Sequence, residues 1–305
     1  MIGILVIHIL FLWCSLPHLT SVTISPCAKW NTTGVIMAGT GVSGNSSDQL
    51  NAPSAIFIHQ ETNILYIADS LNDRIQMISL NQSSNMTTTV AYPVPYPSTL
   101  YVDDDGNETM LYIALFFADR VEKWIQGESS GVQVGDNCTF CNGVWVDKTK
   151  NVYMTAFGDN SVTKWSPETN TTTIISKVFI DPTDIHVDET TNSVYVAEMT
   201  KNRIRMISPN APNGTYVAGS SNGTSGNGAS LLNAPEGIWF DDKTKAVYIA
   251  DTRNGRIQRW QANANKGDTI AGLGIHINCI VFSLIKRRDE IHMLETDFIL
   301  QVNII

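Results

Sequence analysis

Residues 65–76 read LYIADSLNDRIQ, and residues 247–258 read VYIADTRNGRIQ. A catalytic centre is rarely written twice in one chain, so this duplication indicates a structural unit that recurs. Looser copies of the pattern occur between the two, and each copy has a tyrosine that begins a short apolar run: Tyr66, Tyr112, Tyr153, Tyr195 and Tyr248. The spacings between these tyrosines are 46, 41, 42 and 53 residues. Function should therefore be sought where the repeats differ.

Each repeat contains several short β-rich runs separated by turn residues. A motif ending in Asp precedes the tyrosine, as in GVWVD (143–147) and GIWFD (237–241), and a trailing run such as TYVAG (215–219) follows it. A period of about 40 to 45 residues without helical periodicity is that of a four-stranded propeller blade. We therefore predict an all-β, six-bladed β-propeller whose last blade is closed by the N-terminal strand.

The predicted closure uses both ends of the chain. Residues 33–39 resemble the trailing strand of a blade, and residues 278–305 would supply its three other, degenerate strands. The C-terminal match is weak, so a five-bladed ring with an altered tail is the alternative. The six predicted blades cover approximately residues 50–93, 95–136, 140–178, 180–220, 232–272, and 278–305 plus 33–39.

The repeat resembles a known family. The order P-x-G-I-x-V-D, L-Y-I-A-D, N-x-R-I-Q is similar to the NHL repeat and is clearest at residues 53–76 and 235–258. The resemblance implies an NHL-type propeller, and NHL propellers serve as binding modules. Related six-bladed rings include the peptidyl-amidating lyase and calcium-dependent lactonases. The fold alone does not choose among these functions.

Composition and charge narrow the class of partner. The chain has 305 residues, of which 43% are hydrophobic and 16% charged, as in ordinary globular proteins. Its formal net charge is -9. Nucleic-acid affinity depends mainly on Lys and Arg neutralising phosphates, so we expect no nucleic-acid partner.

The N-terminus predicts a secretory route. Residues 1–21 contain an apolar stretch ended by Pro17, which has the length of a signal-peptide core. The segment lacks a basic n-region, so a retained anchor is the alternative to cleavage. The mature propeller would then occupy residues 27–305, extracellular and without membrane insertion after cleavage. Many N-glycosylation sequons support the same route. The nine are Asn31, Asn45, Asn81, Asn85, Asn107, Asn137, Asn170, Asn213 and Asn222.

The sequons are predicted to be distributed unequally between the two faces of the ring. Only Asn45, Asn137 and Asn222 fall in loops on the face where the first strand of each blade begins. The other six fall on the opposite face, where glycans would discourage contacts. The first face also carries the two longest inter-blade loops, residues 39–53 and 219–235, which are rich in Gly, Ser and Asn. We expect partner binding on this more open face.

Four cysteines remain after signal cleavage: Cys27, Cys138, Cys141 and Cys279. Three pairings are possible in an oxidising compartment. The CxxC spacing favours a local Cys138–Cys141 disulfide, because no second CxxC is present to complete a zinc site. The pairing of Cys27 with Cys279 stays open.

Repeated charged residues are interpreted as structural. Asp69, Glu198 and Asp251 end one strand, and an arginine begins the next strand in each case. Carboxylate and guanidinium on adjoining strands can pair, and positions shared by repeats serve the blade. An aromatic position in the first strand is likewise expected to pack between blades. It is filled by Phe57, Tyr101, Trp145, His186 and Trp239.

The predicted binding site lies where the innermost strands begin. The residue after the repeat proline should point near the central opening, and Asp184 replaces a glycine beside it. The candidate ligand-binding residues are Ser54, Ser98, Asn142, Thr183, Asp184, Glu236 and Asn278.

The leading hypothesis is a secreted, non-enzymatic scaffold without a cofactor that binds an extracellular protein or a small ligand. The alternative is a lactonase-like or amidating-lyase-like enzyme with a metal at the channel. Oxygen ligands suit Ca²⁺, and the candidates would be Asn142, Asp184, Glu236 and Asn278. The zinc of an amidating lyase needs histidines that converge, and the four mature histidines share no register.

Overall fold

The computed structural model describes residues 5–8, 35–59, 61–81, 86–272, 284–287 and 290–296. Two short strands, β1 (Leu5–His8) and β2 (Val35–Ala38), precede a series of four-stranded antiparallel sheets. Each sheet between residues 53 and 271 is formed by four consecutive strands in the order of the chain. This is the blade architecture that the repeat predicts.

The five blades have the following bounds. Blade 1 contains β3 (Pro53–His59), β4 (Ile64–Asp69), β5 (Arg74–Ser79) and β6 (Thr88–Ala91). Blade 2 contains β7 (Pro97–Asp104), β8 (Thr109–Leu115), β9 (Arg120–Ile125) and β10 (Val132–Val134). Blade 3 contains β11 (Cys141–Val146), β12 (Val152–Ala156), β13 (Ser161–Ser166) and β14 (Thr171–Ser176). Blade 4 contains β15 (Pro182–Asp188), β16 (Ser193–Glu198), β17 (Arg203–Ser208) and β18 (Ala211–Gly219). Blade 5 contains β19 (Pro235–Phe240), β20 (Val247–Asp251), β21 (Arg256–Trp260) and β22 (Asp268–Ala271).

The first strand of each blade is the innermost one. Strands β3, β7, β11, β15 and β19 contact one another in succession around the centre. Each begins at its repeat proline or, in blade 3, at Cys141. We call the face where these strands begin the cavity face. The loops between second and third strands and the loops between blades lie on it, because antiparallel strands alternate in direction.

The core lies between neighbouring blades. The repeat tyrosines on the second strands are all buried, as Tyr66 illustrates with 1% exposure. They pack in apolar clusters that join consecutive blades, such as the cluster that contains Tyr195 and Phe240. Fully burying one such aliphatic or aromatic side chain contributes about 1.5–3 kcal/mol. The residues that the repeats share therefore hold neighbouring blades together.

The repeated acid and arginine form buried pairs, as predicted. Asp69 faces Arg74 across β4 and β5, with 2.7 Å between Oδ2 and Nε. The corresponding distance is 2.6 Å both in Glu198–Arg203 and in Asp251–Arg256. The residue before each arginine has a left-handed φ near 50° and is Asp73, Asn202 or Gly255. Asp, Asn and Gly tolerate that conformation best, so the motif records a tight turn. Single 3₁₀ turns precede these residues at Ser70–Asn72, Met199–Lys201 and Thr252–Asn254.

The arginines also fasten the long loops of the cavity face. Arg74 donates to the carbonyl oxygens of Asn45, Ser46 and Gln49. Arg256 donates equivalently to three carbonyls between residues 227 and 231. Both loops are therefore tied to the blade at their middle, rather than only at their ends.

The prediction of six blades is wrong, because the structure shows five. The terminal strands form a separate sheet with the order β2, β1, β24 (Glu290–Thr296), β23 (Leu284–Arg287). Among the described residues this sheet has two C-terminal strands, whereas three were predicted, and it takes β1 from the segment assigned to the signal peptide. The repeat chemistry is missing there, since His292 stands where the buried tyrosine would be. Residues 278–283, the expected innermost strand, lie outside the described residues.

Within the described ranges, no helix is long and apolar enough to span a membrane.

Candidate functional site

A cavity of about 310 Å³ opens at the centre of the cavity face. Six of the seven predicted ligand-binding residues line it, and the seventh, Asn278, lies outside the described residues. The register of the repeat proline therefore brings residues that are far apart in sequence to one place. The predicted residues on its wall are Ser54, Ser98, Asn142, Thr183, Asp184 and Glu236.

Three of these residues use their hydroxyl groups to join blades. Ser54 donates to the carbonyl oxygen of Pro97 in the next blade over 2.7 Å. The hydroxyl of Ser98 lies 3.0 Å from the carbonyl oxygen of Asn142. Thr183 donates to the carbonyl oxygen of Glu236 over 2.9 Å. These hydroxyl groups therefore form hydrogen bonds that join one inner strand to the next.

Asp184 braces the same boundary between blades 4 and 5. One carboxylate oxygen accepts from its neighbour's amide, Ile185 N–H, over 2.9 Å, and the other accepts from Ile238 N–H over 2.8 Å. Burial raises the pKa of the Asp184 carboxyl to about 6, against the opposing effect of the two N–H donors. In blade 3 the equivalent position is Gly143, where a Cβ atom would lie 2.6 Å from the Thr183 carbonyl oxygen. Only a glycine allows that close approach of the inner strands.

Glu236 and Asn142 differ from their neighbours because their polar side-chain groups are not used within the blade. Among the described residues, none forms a hydrogen bond with the Glu236 carboxylate or with the Asn142 amide, although both side chains line the cavity. Burial raises the pKa of the Glu236 carboxyl to about 7, and the Arg253 guanidinium opposes this rise. The site thus contains a carboxylate and an amide that are free to bind.

The opposite side of the cavity is aromatic, which the sequence analysis missed. Tyr96 and Phe116 from blade 2 and Phe157 from blade 3 line it. Phe116 also stacks on Phe140 with 5.0 Å between ring centroids, and the adjacent Phe117 is 64% exposed. The signal lies in the position directly after the second strand. That position varies among repeats: Ser70, Phe116, Phe157, Met199 and Thr252.

The residues described offer only a partial metal site. They contain no cluster of three or more His, Cys, Asp and Glu side chains suited to a metal. Asn142, Asp184 and Glu236 line one cavity, but both oxygens of Asp184 already accept backbone N–H groups. Ca²⁺ takes about six to eight oxygen ligands, so water or further groups would have to supply most of them. Asn278, the fourth candidate, lies outside the described residues.

The histidines do not converge on this cavity in the part of the chain that the structure describes. His59 bonds Thr62 at 2.8 Å on the opposite face. His186 is buried, with its ring centroid 3.8 Å from that of Trp145, and burial lowers its pKa to about 3. His276 and the side chain of His292 lie outside the described residues.

The aromatic position of the first strand is used for packing, as expected. Phe57 contacts Tyr101 with 5.0 Å between centroids, and Tyr101 contacts Trp145 at 5.1 Å. The series continues through His186 to Trp239. A continuous row of rings therefore runs from blade to blade below the cavity.

The described sequons all present exposed asparagines. Asn45, Asn137 and Asn222 precede first strands and so lie on the cavity face. The others lie on the opposite face: Asn81, Asn107, Asn170 and Asn213. Asn31 and Asn85 lie outside the described residues, as do Cys27 and Cys279. The remaining cysteines, Cys138 and Cys141, form the predicted disulfide at the entry to β11.

Comparison with known proteins gives a limited sequence match. No family model matches the chain. Over 81 residues it is 30% identical to NHL repeat-containing protein 2 of Bos taurus, which covers 25% of this chain and 11% of that protein. The chain thus spans about a tenth of the length of that relative. The match supports the NHL character of the repeat.

Solved structures match over most of the chain at low identity. A chain from the nidogen/laminin complex has a TM-score of 0.60 and 13% identity, covering 79% of this chain and 91% of that one. An auxiliary nutrient binding protein from Bacteroides thetaiotaomicron has a TM-score of 0.64 and 14% identity, covering 89% and 77%. Streptogramin B lyase has a TM-score of 0.53 and 11% identity, covering 81% and 94%. At these identities the similarity shows the β-propeller fold alone.

Proposed function

We propose that this protein is a secreted, non-enzymatic scaffold that binds an extracellular ligand or protein in the cavity. The observation that carries the proposal is the convergence of six predicted polar residues on one cavity, where Glu236 and Asn142 have no hydrogen-bond partner among the described residues. Ligand sites are concave, largely preformed and supplied with a few well-placed polar groups. The cavity has these properties.

The rigidity of the wall supports a preformed site. Ser54, Ser98 and Thr183 bind the next blade, so the inner strands cannot separate without breaking these hydrogen bonds. A ligand in the cavity would bury the Glu236 carboxylate and the Asn142 amide, and a buried polar group left unpaired costs about 1–3 kcal/mol, so a ligand that pairs with them is favoured over one that does not. Preorganisation lowers the entropy that binding must overcome.

The distribution of sequons supports binding on the cavity face. Asn81, Asn107, Asn170 and Asn213 are exposed on the opposite face, where attached glycans would obstruct a partner. Secretion itself is proposed from the N-terminal apolar segment and the number of sequons. The nidogen/laminin and nutrient-binding structures are consistent with a binding role for the fold.

A metal-dependent enzyme is the second candidate. Two carboxyl groups with raised pKa values, those of Asp184 and Glu236, line one cavity, and such groups cluster at active sites. A Ca²⁺ ion held by Asn142, Asp184, Glu236 and Asn278 would make the site similar to that of calcium-dependent lactonases. The lyase among the similar structures keeps this candidate open.

Elemental analysis of the purified secreted protein separates the two candidates. The scaffold proposal predicts no stoichiometric Ca²⁺ or Zn²⁺ and a melting temperature that chelator leaves unchanged. About one metal ion per chain, lost together with thermal stability in chelator, would favour the enzyme. An Asn142→Ala, Glu236→Gln double variant is the control. A metal ion bound in the cavity should be lost from this variant, whereas a metal ion bound elsewhere should be retained.

A further inference from the structure

The chemistry of the cavity wall indicates the class of ligand. We propose that the cavity binds an ammonium group carried on an aromatic or similarly sized apolar body, with the cation at Glu236 and the body against Phe116 and Phe157. The inference rests on the proposed binding function. It applies equally to a free amine and to a lysine side chain of a partner, since both present the same group.

The acidic side of the cavity comes from blades 4 and 5. Asp184 and Glu236 line it, and the described residues that line the cavity include no lysine or arginine. Asp184 is satisfied by two backbone N–H groups, whereas the Glu236 carboxylate has no such donor among the described residues. A ligand that donates charge-assisted hydrogen bonds would supply what the blade does not.

The aromatic side comes from blades 2 and 3. Tyr96, Phe116 and Phe157 line it, and Phe140 holds Phe116 by stacking. These rings bind apolar surface, and their faces also attract a cation within about 6 Å. A ligand with a positive end and an apolar body matches both sides of the cavity at once.

Other ligand charges fit less well. An anion would face Glu236 and Asp184, and no cationic side chain in the described part of the cavity wall would balance them. Arg253 is the charged group that acts on Glu236 from the rim, but it is exposed and forms no ion pair with a described residue. Solvent screens its effect. A neutral ligand would leave the Glu236 carboxylate without a charged partner.

The test uses four small probes and the folded, secreted protein. They are 2-phenylethylammonium, 2-phenylethanol, 3-phenylpropionate and ethanolammonium, which separate charge from apolar contact. Titration calorimetry or ligand-observed NMR should show tightest binding for 2-phenylethylammonium. Replacing Glu236 by Gln should lower the affinity for 2-phenylethylammonium by about 10-fold or more, as expected for a lost charged hydrogen bond. The affinity for 2-phenylethanol should stay the same.

Two further variants locate the parts of the ligand. Phe116→Leu should lower the affinities for 2-phenylethylammonium and 2-phenylethanol by similar factors, because it removes apolar contact and leaves the Glu236 carboxylate in place. Glu128 is exposed and lies away from the cavity, so Glu128→Gln should change the affinity for neither probe. A blocked Phe-Lys dipeptide, compared with a blocked Phe-Gln dipeptide, tests whether a peptide lysine can supply the ammonium group.

The pH dependence gives a readout that fold stability alone would not mimic. The probe stays cationic between pH 6 and 8, while Glu236 ionises in this range, so affinity should increase with pH. Glu236→Gln should abolish the part of this increase that lies between pH 7 and 8, because Asp184, whose pKa is about 6, is already largely ionised above pH 7. Asp184 and Arg253 remain in the variant, so a slope retained between pH 7 and 8 would assign the effect to another group and contradict the inference.

The outcomes distinguish this inference from the proposed function. Equal or tighter binding of 2-phenylethanol or 3-phenylpropionate, unaffected by Glu236→Gln, overturns the ammonium inference and leaves a binding cavity. Failure of all four probes to bind at millimolar concentration also overturns it. The scaffold proposal is then decided separately, by a crystallographic fragment screen that shows whether any small molecule binds in the cavity.

Discussion

The hydroxyl of Thr183 donates to the backbone carbonyl of Glu236 over 2.9 Å, across the boundary between blades 4 and 5. The first residue thereby positions the second, whose carboxylate remains directed to the cavity. The same relationship joins Ser54 to Pro97 and Ser98 to Asn142. A polar ring that appears uniform in sequence thus divides into residues that hold the blades and residues that can bind.

Removing the Thr183 hydroxyl should destabilise the ring. Thr183→Val keeps the side-chain shape but leaves the Glu236 carbonyl without its donor, which should lower the free energy of unfolding by about 1–2 kcal/mol. Denaturant unfolding measures this. Thr173→Val, at an exposed strand position, is the matched control and should stay within about 0.5 kcal/mol of the parent. Equal losses of stability in the two variants would contradict the conclusion that the Thr183 hydroxyl joins blades 4 and 5.

The Asp251–Arg256 pair should be necessary for both stability and loop order. Asp251→Ala leaves a largely buried guanidinium without its carboxylate and should cost about 3–5 kcal/mol. It also removes the acceptor of the Asn233 N–H, so hydrogen exchange at that amide should accelerate. Lys148→Ala breaks an ion pair whose lysine is 86% exposed, and should cost less than about 1 kcal/mol. Similar losses in the two variants would show that the repeated pair has no special structural role.

The cavity carboxyls should make the protein less stable as pH rises. Their pKa values are raised to about 6 for Asp184 and about 7 for Glu236. Between pH 4.5 and 7 the folded state therefore retains protons that the unfolded chain has released, and the free energy of unfolding falls as pH increases through this window. Glu236→Gln should make the decrease from pH 6 to 8 shallower, as measured by denaturant unfolding.

Buried His186 acts in the opposite direction at lower pH. Its pKa is lowered to about 3, so the unfolded state binds the additional proton below pH 6.5 and stability increases with pH from 3 to 6.5. This opposing contribution becomes small as pH rises above 6.5, the ordinary pKa of histidine, so the carboxyl contribution dominates toward pH 8. An unchanged slope in Glu236→Gln between pH 6.5 and 8 would mean that Glu236 is not the titrating group.

The N-terminal strand provides a direct test of secretion. Strand β1 lies within residues 1–21, and signal-peptide cleavage would remove it from the terminal sheet. We expect N-terminal sequencing of the protein from culture medium to begin after residue 21, with mass shifts on glycosidase treatment from occupied sequons. Recovery of an intact N-terminus would instead support β1 as part of the mature sheet.

Glycan mapping tests the choice of face. We expect occupancy at Asn81, Asn107, Asn170 and Asn213 on the face opposite the cavity. Peptide mass spectrometry that found Asn45, Asn137 and Asn222 fully occupied, with the opposite face free of glycans, would overturn the proposal that binding uses the cavity face.

Repeated positions made the blades predictable from sequence. Tyr66 and Asp69 recur with their partners, and each is buried in the role that its recurrence indicates. The repeat proline likewise placed Glu236 in the cavity. The free polar groups could not be distinguished, because whether a hydroxyl such as that of Ser54 is occupied depends on a carbonyl in the next blade.

Two parts of the structure escaped prediction for physical reasons. Phe116 occupies a variable position in the turn after the second strand, so no recurring residue type marked it as part of the cavity. The terminal sheet combines strands from both ends of the chain, and His292 stands at the spacing of the repeat without being a tyrosine, so the spacing alone predicted one blade too many.

Crystallographic fragment screening of the secreted protein tests whether the cavity is the binding site, because it locates binding without assuming a ligand. We expect fragments in the cavity, in contact with Phe116 on its aromatic side and with Glu236 on its acidic side. Fragments that bind only outside the cavity would contradict the proposal that this cavity is the binding site.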